Sequence, residues 1–341
     1  MKNVHLIIIL ILFFVSPRFV EAKTSSEQDG FIGKVRSVTE ERARLSNKSG
    51  KWVEEQGIRS SVYTYDTRGN KIEWVEYNFN GSISNQQTFT TDKNGNKVLE
   101  GTSYNVDGSI NNKRVYRYSA KDNKIIEGKG YNPNGSISWT NTYQYDASGA
   151  ETVEERQSAD GTPISKIVQS YDDTGNKILS GDRYDPNGLL ESKWVQVYDP
   201  KGVLKEAVTY NADGVLLNRA VYVYNEEGNI LEEGHYNTDG SIDSKRLYIY
   251  DNKNPVRIEE SHYKEDGSLE SKWIKIQDLK GNLTEMTNYA SDGSPLAKYV
   301  FTYKFDSIGN WIKQTMASWT YLSERKDVEP TEVAYRTITY N

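Results

Sequence analysis

The chain has 341 residues, with 42 Lys+Arg against 48 Asp+Glu for a net charge of −6, and it contains no cysteine. A mildly acidic composition with interspersed signs argues against nucleic acid and anionic membranes as partners. The lack of cysteine removes disulfides and thiolate chemistry. Tyrosine (25) and glycine (26) are abundant while methionine is scarce (three), which points to strands and turns rather than helices.

The first element is a targeting segment. Lys2 precedes an unbroken apolar run, Leu6 to Val15, and Val20-Glu21-Ala22 supplies a cleavage site, so residues 1–22 read as a signal peptide. The run is shorter than the ~20 apolar residues a spanning helix needs, and no membrane span is expected after cleavage. Cleavage would remove Lys2, Arg18 and Glu21, two cations and one anion, and leave the mature chain slightly more acidic. Residues 23–30 are polar and read as a flexible lead-in, and 31–64 as N-terminal cap strands around the turn Asn47-Lys48-Ser49-Gly50.

From 65 to 309 the chain repeats. One glycine series runs Gly69, Gly95, Gly149, Gly175, Gly202, Gly228, Gly281, Gly309, with Asp122 and Asn254 filling its gaps. The other runs Gly81, Gly108, Gly135, Gly161, Gly188, Gly214, Gly240, Gly267, Gly293. Neighbours in each series lie about 26–28 residues apart, giving nine two-turn units. Asp or Asn usually sits three residues before the glycine, and Pro133, Pro186 and Pro200 occupy the second turn position. This chemistry fits a type I turn with a G1 bulge, with Asp122 and Asn254 as residues that tolerate left-handed φ. One arm of the repeat varies in length by a single residue, and a bulge just after the turn is expected to absorb the difference. Between turns the pattern alternates with period two, as in Lys193 to Tyr198, where valines oppose Trp, Gln and Tyr.

The expected fold is therefore all-β: an antiparallel meander of about twenty short strands from nine hairpin repeats. Twist would curl it into an elongated curved or superhelical sheet, or a tube-like wrap. Residues 310–341 form C-terminal cap strands that, with the N-terminal cap, cover two exposed edges. A β-propeller pairing two units per blade is the rival fold.

Tyr63-Thr64-Tyr65-Asp66-Thr67-Arg68-Gly69-Asn70 and Tyr143-Gln144-Tyr145-Asp146-Ala147-Ser148-Gly149 resemble the Tyr-Asp (Rhs-type) repeat of bacterial envelope and secreted proteins. Tyr236-Asn237-Thr238-Asp239-Gly240-Ser241-Ile242 is similar to the strands of MORN-type variants. The resemblance covers about Tyr63 to Gly309 and implies β-strand shells or spirals credited with encapsulating cargo or binding carbohydrate. This chain is shorter than the large toxin members, shows no toxin domain after the repeats, and favours Asn-Lys-Ile where the family has Arg-Leu, so encapsulation is not expected. The family carries no catalytic residue over.

Fifteen of the 25 tyrosines sit four residues before a turn position, a regularity that favours structural packing with the hydroxyl reaching a polar partner. Six residues after each second-series glycine lies a column that does not repeat: Gln87, Arg114, Asn141, Ile167, Trp194, Ala220, Arg246, Trp273, Tyr299. Such variation marks an exposed position, and Trp194, Trp273, Arg246, Arg114 and Tyr299 are the candidate binding residues. His235 and His262 lie one unit apart, too far to share a metal, and the Asp-rich turns lack the closing Glu of a calcium loop. No metal or other cofactor is expected. Paired carboxylates such as Glu73/Glu76 and Glu259/Glu260 are too common to mark catalysis, and no phosphate loop or Gly-x-Ser-x-Gly occurs. The expectation is an exported, non-enzymatic repeat protein, periplasmic, cell-surface or extracellular, that binds a glycan or protein ligand along a sheet face. A structural envelope scaffold or a polysaccharide-acting hydrolase are the alternatives.

Overall fold

A computed structural model describes residues 25–341 apart from 79, 93–96, 123, 176, 252–255 and 322–327. The expected leader and the left-handed Asn254 lie outside the described residues. A one-turn helix, α1 (Ser25–Gln28), precedes the strands. These are β1 (Val35–Lys48), β2 (Lys51–Glu54), β3 (Ile58–Tyr65), β4 (Lys71–Tyr77), β5 (Ile83–Thr91), β6 (Val98–Tyr104), β7 (Ile110–Tyr118), β8 (Ile125–Tyr131), β9 (Ile137–Tyr145), β10 (Glu151–Ser158), β11 (Pro163–Tyr171) and β12 (Ile178–Tyr184). They continue as β13 (Leu190–Tyr198), β14 (Leu204–Asn211), β15 (Leu216–Tyr224), β16 (Ile230–Tyr236), β17 (Ile242–Asp251), β18 (Val256–Tyr263), β19 (Leu269–Gln277), β20 (Leu283–Ala290), β21 (Pro295–Phe305), β22 (Trp311–Thr320) and β23 (Glu329–Tyr340).

β1 pairs antiparallel with β3, each strand from β3 on pairs antiparallel with the next, and β23 returns to pair with β1 from Val35↔Tyr340 to Arg44↔Glu332. β2 pairs only with the far end of β1, so the remaining 22 of the 23 strands form a closed barrel. This corrects the expectation of an open, elongated sheet, and it equally overturns the propeller. The physical reason lies in the segments read as separate caps. The two end strands are long and mutually complementary, and pairing them removes both exposed edges at once, which covering them singly does not achieve. At about 4.8 Å per strand and a tilt near 40°, 22 strands make a hoop roughly 40 Å across between backbones and roughly 20 Å tall. Every substantial strand–strand contact is between ring neighbours, so the bore is not collapsed into a sandwich.

The hairpins close as the turn chemistry requires. Asp185 N–H donates to Leu189 O (2.9 Å), Gly188 N–H donates to Asp185 O (3.0 Å), and Gly188 sits at φ 77°. Two details differ from expectation. Where the arm is one residue longer, the turn itself takes it up: Asp172 N–H bonds Lys177 O and Ser119 N–H bonds Lys124 O, five residues on, against four for Asp66 and Asn70. Asp122 does not adopt left-handed φ; among the described residues Ser49 is the one non-glycine that does, at 54°. The equivalent position of the other six-residue turn, Gly175, sits at φ 69°.

Which face lines the bore follows from chirality. In a hairpin the Asx residue exchanges backbone bonds with the partner strand, as Asp66 does with Asn70 and Gly69. For an L-residue in a strand drawn upward with its side chain toward the viewer, N–H and C=O point right. Followed once around the ring in chain order, the pairings slip by about two dozen residues away from the rim holding the Gly69–Gly309 turns. Right-handed twist makes strands rise to the right seen from outside, so with that rim on top the chain advances rightward. Asp66 then faces out and Tyr65 faces the bore. The same face carries Tyr118, Tyr145, Tyr171, Tyr198, Tyr224 and Tyr250, while the tyrosines before the lower-rim turns, Tyr184 and Tyr210 among them, face outward.

The outer wall carries a central row of Val115, Val168, Val195, Val221, Leu247, Ile274 and Val300. Beside it runs a belt of cross-strand ion pairs: Glu100–Lys113 (2.7 Å), Glu155–Lys166 (2.8 Å), Glu206–Arg219 (2.6 Å), Glu232–Lys245 (2.8 Å), Glu259–Lys272 (2.5 Å) and Glu285–Lys298 (2.9 Å). Each contributes under about 1 kcal/mol, but their position matters more than their energy. A lipid-facing barrel needs an outward apolar band about 25 Å tall, and a Lys or Arg near its middle costs about 2–4 kcal/mol. A belt of charges at mid-height does not match such a lipid-facing band. No helix among the described residues is long and apolar enough to cross a membrane.

At the seam the segment 25–33, expected to be a flexible lead-in up to residue 30, is docked across the upper rim. Ser26 N–H bonds Gly69 O (3.0 Å), Ile32 N–H bonds Asn310 Oδ1 (2.8 Å), and Tyr65 donates to Asp29 (2.5 Å). Phe31 lies edge-on to Tyr65, and the two form a buried hydrophobic cluster with Val35 and Val38.

Candidate functional site: the inner wall

Alternation and register place the entire variable column on the bore. Each member faces a cross-strand partner thirteen residues earlier: Gln87 pairs with Trp74, Arg114 with Gly101, Trp194 with Gly181, Ala220 with Ala207, Arg246 with Glu233, Trp273 with Glu260 and Tyr299 with Met286. The belt is thus two residues wide, and some of its pairs compensate in size, as Arg114 and Trp194 do against glycine, or in charge, as Arg246 does against Glu233. Variation alone predicts that the column lies exposed on a sheet face. It lies on the concave wall instead, where Arg114 and Arg246 are exposed, the tryptophans half-buried, and Asn141 and Ala220 buried. The five candidate residues share one belt but do not converge: Arg114, Trp194 and Trp273 are each six strands apart, about 29 Å along the wall.

Two sectors stand out. On β16–β19, Glu233 accepts from His235 (2.9 Å) and Arg246 (3.3 Å), and Glu260 from His262 (2.7 Å) and Lys275 (2.9 Å). The His235 bond, with Arg246 beside it, holds the Glu233 carboxyl below its usual range. Burial works the other way at Glu260, but Lys275 and His262 outweigh it and keep that carboxyl low as well. Each histidine is therefore engaged by the glutamate two residues before it, and Trp273 lies beside this fully paired charge network.

The second sector, on β9–β11, contains none of the candidate residues read from the sequence. Burial, reinforced by Glu154, pushes the Glu151 carboxyl up to about 7, and burial also raises Glu154. Asn141 donates to Glu154 Oε1 (2.6 Å), leaving its own buried Oδ1 without a protein partner among the described residues. A signal was present: Glu154 occupies the column where Gly101, Gly128 and Gly181 stand, thirteen residues before the variable position. The same column holds Glu233 and Glu260, so it is a second variable column beside the first.

The bore-facing tyrosines have structural partners. Tyr118 donates to Val98 O (2.9 Å), Tyr145 to Ile125 O (2.8 Å) and Tyr303 to Leu283 O (2.8 Å), lacing each hairpin to its neighbour at the upper rim. Lysines cap several rings, with Lys97 5.1 Å from Tyr118 and Lys124 4.8 Å from Tyr145. Among the described residues no three His, Asp or Glu groups are placed to hold a metal.

No protein-family model matches the chain, and no curated protein matches it in sequence. Among solved structures it is similar to a porin-like protein from Bacteroides uniformis, at 10% identity over 91% of this chain and 98% of that one, with a TM-score of 0.29. It is also similar to a porin-like protein from Bacteroides vulgatus (8% identity, 90% and 98% covered, TM-score 0.20). A third is the Tc holotoxin pore of Photorhabdus luminescens (10% identity, 80% of this chain and 20% of that one, TM-score 0.25). Superpositions this loose carry no argument about fold or function, which rest on the geometry above.

Proposed function

We propose that the protein is an exported, non-enzymatic β-hoop that holds a glycan against its inner wall. One observation carries this reading: a column that runs through glutamine, arginine, asparagine, isoleucine, tryptophan, alanine and tyrosine faces the bore, and its partner column brings glycine, tryptophan or glutamate against it. Tryptophan and arginine on the belt are types that concentrate binding energy. A clear bore of about 30 Å, after side chains, admits a polysaccharide chain. The leader read from the sequence supports a place outside the cytoplasm, and the charged outer belt suits an aqueous compartment of the envelope or beyond it. The Tyr-Asp-type repeats accord with an envelope role. A spacer role fits less well, because repeats here add circumference rather than length.

The test is a glycan array with the mature chain, followed by titration of Trp194→Ala and Trp273→Ala. At least one variant should lose affinity while its melting curve stays near wild type; if neither changes any interaction, the belt is not the binding surface. Glu151 and Glu154 support a second reading, a hydrolase. Release of reducing ends from envelope polysaccharides, abolished by Glu151→Gln, would favour it.

A further inference from the structure

Two tryptophans on the inner wall lie over glycines of the adjacent strand. A Cβ built on Gly181 would meet Trp194 Cζ2 at 2.0 Å, Cε2 at 2.4 Å and Cη2 at 2.6 Å. On Gly130 it would meet Trp139 Cε2 and Nε1 at 2.3 Å and Cζ2 at 2.8 Å. An edge-on ring would bring one atom close and hold its bonded neighbours well back. Near-equal approach of three contiguous atoms means that each indole lies face-down on its glycine. One ring face is therefore against the sheet and the other is turned to the bore.

The two differ in what covers that second face. Arg156 stands 4.8 Å over Trp139, whereas among the described residues no cation or second ring covers Trp194. Register puts Gln169, Gly181 and Thr209 in the row of Trp194, Gln196 and Ala207 one row above, and Ile167, Arg183 and Ser192 one row below. Tyr171 donates to Gln169 Oε1 (2.8 Å) and Tyr198 to Gln196 Oε1 (2.5 Å), so both amide oxygens are taken. Both amide nitrogens lack a protein partner among the described residues; Gln169 is half-buried, and Gln196 is buried at 8% exposure. Among these residues Arg183 carries a charge, with Glu191 at 2.8 Å and Glu154 next to Ile167 in the same row to offset it. The Arg246–Lys275 sector, by contrast, is built of charges.

We infer that the wall around Trp194 is a subsite for an uncharged hexopyranose, stacked on the open indole face and hydrogen-bonded by Gln169, Gln196 and Thr209. This rests on the glycan reading above and narrows it. A flat aromatic surface matches the axial C–H face of a sugar ring, amide donors and a hydroxyl match its hydroxyl groups, and nothing in the patch would recognise a carboxylate.

The test titrates the mature chain, by calorimetry and tryptophan fluorescence, with hexaoses of glucose in α and β linkage, mannose and galactose. A hexauronate of equal length is the charged comparator. Wild type should bind a neutral hexaose better than the hexauronate, and Trp194→Ala should weaken it about tenfold or more. Gly181→Ala should do the same with Trp194 intact, because the new Cβ lifts the indole off the wall. Trp194→Phe should fall between, and Val197→Ala, on the outer face of the same strand, should change affinity less than about threefold. Each variant's melting curve reports folding, and Trp194→Ala decides the matter if Gly181→Ala is unstable. Neutral-hexaose binding that survives Trp194→Ala overturns the subsite while the glycan reading stands. Preference for the hexauronate overturns the uncharged class alone. No binding of any probe, together with a blank glycan array, overturns both.

Discussion

Ring closure brings together residues that an open array would hold apart, and Arg336 and Glu40 provide the measurement. Arg336 Nε lies 3.1 Å from Glu40 Oε2, across 296 residues of chain, and its guanidinium sits 3.5 Å over Trp311 and 5.2 Å from Phe31. Glu40 Oε1 accepts from Arg42 Nε (3.1 Å) and Nη2 (2.9 Å). The Glu40 side chain is 8% exposed and that of Arg336 20%, but that of Arg42 is 51% exposed. Arg336→Met keeps most of the volume and removes one of the two cations on a buried carboxylate. Breaking a buried pair costs about 3–5 kcal/mol; Arg42 retains part of that, and loss of the ring contacts adds about 1 kcal/mol, for a total of about 3 kcal/mol. Glu40→Gln in the same chain should recover about 1–2 kcal/mol, since the uncompensated charge is gone. Urea unfolding followed by tryptophan fluorescence measures all four corners of the double-mutant cycle. In an open sheet the two residues would lie on opposite edges, about 100 Å apart at 4.8 Å per strand, and their coupling would be zero. A coupling below about 0.3 kcal/mol therefore refutes closure at this seam.

Glu151 has a raised folded-state pKa, so the native state holds more protons than the unfolded one between about pH 4.5 and 7. Stability should fall as pH rises through that window, by about 1–2 kcal/mol once solvent screening is allowed for; Glu151→Gln should flatten this dependence in melts from pH 4 to 8, and an unchanged slope would assign it elsewhere. Deleting residues 176–202 removes β12 and β13, and since diameter scales with strand number the ring should shrink by about a tenth in small-angle scattering, whereas an elongated particle would shorten along one axis only. The mature chain should purify and sediment as a defined species without detergent, because its outer belt is charged; a requirement for detergent would overturn the assignment of that face to water.

Much of the architecture was written locally. Asx three residues before glycine, as at Asp185 and Gly188, specifies the turn through a side chain that bonds its own backbone and a residue free to take positive φ. The alternation of Lys193 to Tyr198 specifies a strand with two unlike faces, and the spacing of the two glycine series specifies how many strands there are. The variable column was legible for the same reason, because departure from a repeat needs no coordinates to be seen. What local pattern could not determine was the sign of curvature and whether the ends meet. Those depend on about two dozen residues of register slip accumulated over the whole ring, and on the fit of Val35–Lys48 to Glu329–Tyr340 across nearly the entire chain. Only that closure turns one face of an alternating sheet into a bore, gives Trp194 and Arg246 an inside to face, and brings Glu154 from an unremarkable acidic run onto the same wall.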